Sequence, residues 1–147
     1  MKENNNVKIL DELHKGCCMG MDSLNYVLEK VDSGDFRKLL EDQYNFYEKL
    51  ADKIDSIYPE YCDDCDDCPD ETSKMNKVMT WSSIQMSTMK DDSNSKIAEL
   101  LVQGTDMGVI EGRKLLNHKD MDEEVKKLVN KYIKEQEKYI DKLKKYL

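Results

Sequence analysis

The sequence predicts an all-α protein, an antiparallel four-helix bundle with a short extra helix in a long crossover between two helical hairpins. Three observations predict it. Apolar residues recur at spacings of three and four along most of the chain. Only six glycines and two prolines punctuate 147 residues, whereas Lys, Glu, Leu, Met and Asp, which favour helices or cap them, are abundant. The breaks that do occur place two short turns on either side of one long connection. A chain of this length with 39% apolar residues can bury one core, so a single domain over 1–147 is expected.

The first helix is expected over 7–32, with Leu10, Leu13, Cys17, Met21, Leu24, Leu28 and Val31 on its apolar face. Ser33-Gly34-Asp35 breaks the pattern. It restarts over 35–57 with Phe36, Leu39, Leu40, Gln43, Phe46, Tyr47, Leu50, Ile54 and Ile57, and stops before Pro59. Residues 58–71 have no period, hold both prolines and carry several carboxylates, which predicts an exposed acidic loop. A shorter helix is expected over 72–90, with Met75, Val78, Met79, Ser82, Met86 and Met89 on one face. Asp91-Asp92-Ser93 supplies a break and an N-cap for a helix over 94–117, whose apolar face includes Ile97, Leu101, Met107 and Leu115. Asp120 followed by Glu123 reads as a capping box opening the last helix, 121–146, with acids in its first turn and lysines in its last.

Each of the four long helices would measure roughly 35 to 40 Å at about 1.5 Å per residue. Two tight hairpins joined by a long connection, the run Met79-Thr80-Trp81 in that connection, and a glycine-bearing fourth element resemble the small ferritin-like proteins of bacteria over roughly 7–147. That resemblance implies the bundle topology. In iron-binding members it would also imply a di-iron centre built from a Glu on each of two helices and a Glu-x-x-His pair on each of the others. This chain departs from that pattern. Its two histidines are His14 and His118, preceded at three places by Asp11 and Leu115, and no Glu is followed at three places by His. His14 is therefore expected first as an imidazole hydrogen-bonded within the bundle, a degenerate mononuclear site at Asp11 and His14 being the alternative, and His118 as a residue suited to a helix C-terminus. No di-iron cofactor is expected.

Gly104, Gly108 and Gly112 recur every four residues, and Gly16 and Gly20 make a shorter stripe. Each glycine costs about 1 kcal/mol of helix propensity relative to Ala, so the stripes call for close packing. A neighbouring helix or a large side chain, Trp81 being the obvious one, is expected against them. The functional alternative is a cavity for a small apolar ligand. The many methionines read as irregular core filling rather than soft-metal ligands.

The most unusual chemical feature is Cys62-Asp-Asp-Cys65-Asp-Asp-Cys68-Pro69. Thiolates two residues apart can hold zinc or another soft metal, and the spacing before proline is shared with cluster-binding loops, although a fourth nearby cysteine is missing. A solvated acidic loop with incidental thiols is the first expectation; a soft-metal site at Cys62, Cys65 and Cys68, a disulfide, or an iron–sulfur cluster are alternatives. Alternating acids and a central glycine, which a calcium loop needs, are absent.

The net charge of −8, without a cluster of Lys and Arg, argues against a nucleic-acid partner, and none is expected. No apolar run approaches the roughly 20 residues that span a bilayer, so no membrane role is expected. The odd number of cysteines, five with two adjacent, suits a reducing compartment, and cytoplasmic placement is expected. No nucleophile with a base and an orienting group is evident from spacing, so no catalytic site is expected. The function expected first is a non-catalytic structural or interaction module, able to form a homodimer. The alternatives are a thiol-based metal or redox protein and a small-ligand carrier.

Overall fold

A computed structural model describes residues 2–32, 34–62 and 89–147, with side chains in the first helix from Asn5 onward. Cys65, Cys68, Trp81, nearly all of the expected 72–90 helix and most of the 58–71 loop lie outside the described residues. Among the described residues four α-helices form a bundle: α1 (Lys2–Leu28), α2 (Asp35–Ile57), α3 (Asn94–His118) and α4 (Glu123–Leu143). Short 3-10 turns follow α2 at Tyr58–Glu60 and α4 at Lys144–Tyr146.

The two hairpins, α1 with α2 and α3 with α4, form the largest contacts; α1 also packs on α3 and α2 on α4. Two end contacts fix the topology. At one end of the bundle Tyr61 Oη donates to Glu124 Oε1 at 3.1 Å, so α2 finishes where α4 begins. At the other, Ser95 Oγ donates to the Leu147 carbonyl at 3.3 Å, so α3 begins where α4 finishes. Successive ends at opposite poles require a crossover rather than a tight turn between the hairpins.

The core follows the helical period. On α4, Val125, Leu128, Val129, Tyr132, Ile133, Gln136, Ile140 and Leu143 are buried. All of these but Gln136 join Leu40, Leu50 and Ile54 of α2, Ile9, Leu10, Leu13 and Leu24 of α1, and Ile97, Leu100 and Leu101 of α3 in one apolar cluster.

Several boundaries differ from the periodicity for identifiable reasons. The first helix stops at Leu28, yet Val31 stays buried at 4% exposure because the following turn folds it inward. Arg37 of α2 then donates through Nη1 to the carbonyls of Leu28 and Val31, the latter at 2.8 Å, satisfying helix-end acceptors across the turn. Ser93 caps α3, its Oγ accepting from Lys96 N at 3.2 Å. The expected Asp120 capping box does not form. Asp122 is the N-cap of α4 without a side-chain cap bond, and its N–H instead donates to Asn6 Oδ1 of α1 at 2.9 Å. Met89 and Lys90 are not helical. Tyr58, expected in an exposed loop, is buried.

Candidate functional site

The glycine stripes of α1 and α3 are occupied by large side chains from α2 and α4. A methyl group on Gly16 would overlap the Tyr132 hydroxyl, and one on Gly20 would lie 2.5 Å from Tyr47 Cε2. On α3, a methyl at Gly108 would lie 2.6 Å from Gln136 Oε1, and one at Gly112 would lie 2.7 Å from Ile133 Cγ1. These separations are shorter than carbon contacts allow, so the missing side chains let Tyr47, Tyr132 and Gln136 reach the centre. Close packing against the stripes, the first expectation, is therefore what the fold contains at these four positions. Trp81, named for that place, lies outside the described residues.

The fit is incomplete. A cleft of about 380 Å³ remains between α1 and α3, lined by all five stripe glycines, by Leu13, Leu24 and Leu101, and by Tyr47 and Tyr132. Glu12, Met107 and Glu111 form an exposed part of its rim. Met107 was expected on the apolar face of its helix; it is 47% exposed because α3 turns that position to the cleft mouth. Met19, from α1, lines the same cleft.

Beneath the cleft lies a network of neutral polar groups, Gln43, Tyr47, Thr105 and Gln136, each nearly fully buried. Gln43 Nε2 donates to Thr105 Oγ1 at 3.1 Å and to Tyr47 Oη at 3.4 Å. Tyr47 Oη donates to Gln136 Oε1 at 2.8 Å, and Gln136 Nε2 donates to the Tyr132 carbonyl at 3.1 Å. Burial pushes both phenols, Tyr47 and Tyr132, well above the ordinary tyrosine range, so both keep their protons. Gln43 Oε1, 1% exposed as a residue and lining the cleft, has no hydrogen-bond partner among the described residues. An orphaned buried acceptor costs about 1 to 3 kcal/mol.

A second constellation joins α1 to α2. His14, 2% exposed, places Nε2 at 3.1 Å from Asp55 Oδ1, while its Nδ1 lies 3.6 Å from Cys18 Sγ. The expectation of a hydrogen-bonded imidazole describes His14, which stands between a thiol of its own helix and a carboxylate of the next. Their partial signal was the four-residue separation of His14 and Cys18; Asp55 on the next helix gave none.

Of the cysteine loop, Cys62 alone is described, half-buried after the 3-10 turn with its N–H on the Tyr58 carbonyl at 3.1 Å. Among the described residues, no group of three or more His, Cys, Asp or Glu side chains is arranged to hold a metal ion. His118 ends α3 and is exposed. No helix among the described residues is long and apolar enough to cross a membrane. No family model, no curated protein and no solved structure matches the chain.

Proposed function

We propose that this protein is a non-catalytic, ferritin-like bundle that holds a small, mainly apolar molecule in the cleft between α1 and α3. Of the three readings the sequence leaves open, the ligand carrier gains the most from the geometry. The observation that carries it is Gln43 Oε1, a buried acceptor without a partner among the described residues, on a residue that lines an apolar cleft of ligand size. Such a site rewards a flat apolar body carrying one hydrogen-bond donor, because the donor pairs an atom that otherwise stays unsatisfied. The rim adds Met19 and Met107, whose flexible thioethers adapt to shape. The crossover topology supports the ferritin-like assignment. Among the described residues the buried polar groups at the centre are neutral amides, phenols and a hydroxyl, which favours holding a molecule over iron chemistry. A cytoplasmic setting fits the odd cysteine count.

Indole and benzothiophene test the reading, since they share a shape and differ in the donor. Calorimetric titration is expected to show indole binding more tightly by about 1 to 3 kcal/mol, roughly 5- to 150-fold. Gln43→Leu should erase that preference while the bundle stays folded. Equal affinity for the two probes in the native protein, or no binding of either, would refute it.

A further inference from the structure

Two cysteines stand side by side on α1 in opposite surroundings. Cys17 is fully buried, and burial pushes its thiol far above the ordinary range. Cys18 is partly exposed, and its sulfur faces His14 one turn back at 3.6 Å. The imidazole is held on its other side by the exposed Asp55 of α2. A carboxylate accepts hydrogen bonds and does not donate them, so the neutral imidazole carries its proton on Nε2 and presents a lone pair at Nδ1. The Cys18 thiol meets that lone pair. Thiol, imidazole and carboxylate in this order make a nucleophile, a base to take its proton, and a group that orients the base.

We propose that Cys18 is a reactive thiol and a modification site for small disulfides, with His14 as its base and Asp55 as the residue that positions His14. The Cys18 proton passes from Sγ to His14 Nδ1. The thiolate attacks one sulfur of the disulfide; a new S–S bond forms to Cys18 as the original S–S bond breaks, and the departing thiolate takes the proton from the imidazolium. One disulfide and one thiol enter, and one mixed disulfide and one thiol leave. The partial exposure of Cys18 selects for low-molecular-weight disulfides over the disulfides of folded proteins. None of the three residues lines the cleft, so this site stands independently of the ligand reading.

The test treats the reduced full-length protein with oxidised glutathione and follows each cysteine by fragmentation mass spectrometry. Cys18 is expected to acquire the adduct at least ~10-fold faster than Cys17 or Cys62, and His14→Gln should remove most of that advantage. Asp55 is exposed, so Asp55→Ala should fold; it should slow Cys18, and Asp55→Glu should restore much of the rate, which a packing role would not predict. Equal rates at Cys18 and Cys62 in the native protein would overturn the proposal, as would a Cys18 rate that neither His14→Gln nor Asp55→Ala changes.

Discussion

At the scale of single residues, an absent side chain is defined by what fills its place. Gly20 has the Tyr47 ring against it, with three ring carbons within 2.8 Å of where a Cβ would stand. Alanine there gains about 1 kcal/mol of helix propensity but must displace an aromatic ring whose hydroxyl bonds to Gln136. Overpacking of this kind costs about 1 to 3 kcal/mol. Gly20→Ala is therefore expected to lower stability in urea denaturation; a gain equal to the propensity difference would show that the ring moves away without penalty. The four-residue glycine spacing was legible in the sequence, and so was the need for large neighbours. Their identity was not, because Tyr47, Tyr132 and Gln136 reach the stripes from other helices, and the register between helices is set by packing along the whole interface. The same limit separates His14 and Cys18, whose spacing is visible on one helix, from Asp55, which is contributed by another.

Among the elements, the turn between α1 and α2 was read correctly as a break, and its geometry explains why glycine stands there. Gly34 has φ 135° and ψ −169°, a region open essentially to glycine alone. Among the described residues nothing lies within 4 Å of a Cβ at that position, so a substitution there meets strain from the backbone rather than crowding. Gly34→Ala should therefore destabilise by about 1 to 3 kcal/mol, seen as a lower thermal midpoint with unchanged helicity at low temperature. An unchanged midpoint would mean that the turn relaxes into an ordinary conformation. The start of α3 was legible because its cap, Ser93, is local. The start of α4 was misread because the group that pairs the Asp122 N–H, Asn6, lies at the far end of the sequence, and local residues carry no trace of it.

For the whole molecule, the four-helix topology followed from connection lengths, while the mixture of apolar and protonated polar groups at its centre sets a chemical limit. Cys17, Tyr47 and Tyr132 all have their pKa raised by burial from ordinary values of 9.0 for the thiol and 10.0 for the phenols. The unfolded chain releases these protons first as pH rises, so the stability they contribute is complete below about pH 9 and is lost progressively above it. Each group lowers stability by about 1.4 kcal/mol per pH unit once its unfolded form ionises. Chemical denaturation between pH 8 and 11 is expected to show a steep decline, and Tyr47→Phe with Cys17→Ala should make it shallower. A flat profile would mean that the centre admits water. The hydrogen bonds at that centre also have a single sense. The Tyr132 carbonyl can only accept, so it turns the Gln136 amide nitrogen toward itself and the amide oxygen toward Tyr47. Tyr47 must then spend its proton on that oxygen, and only its lone pairs remain for Gln43. Gln43 therefore gives its amide nitrogen to Tyr47 and keeps its oxygen as the end without a partner among the described residues, so the sense of a buried acceptor on α2 is dictated by a main-chain carbonyl on α4.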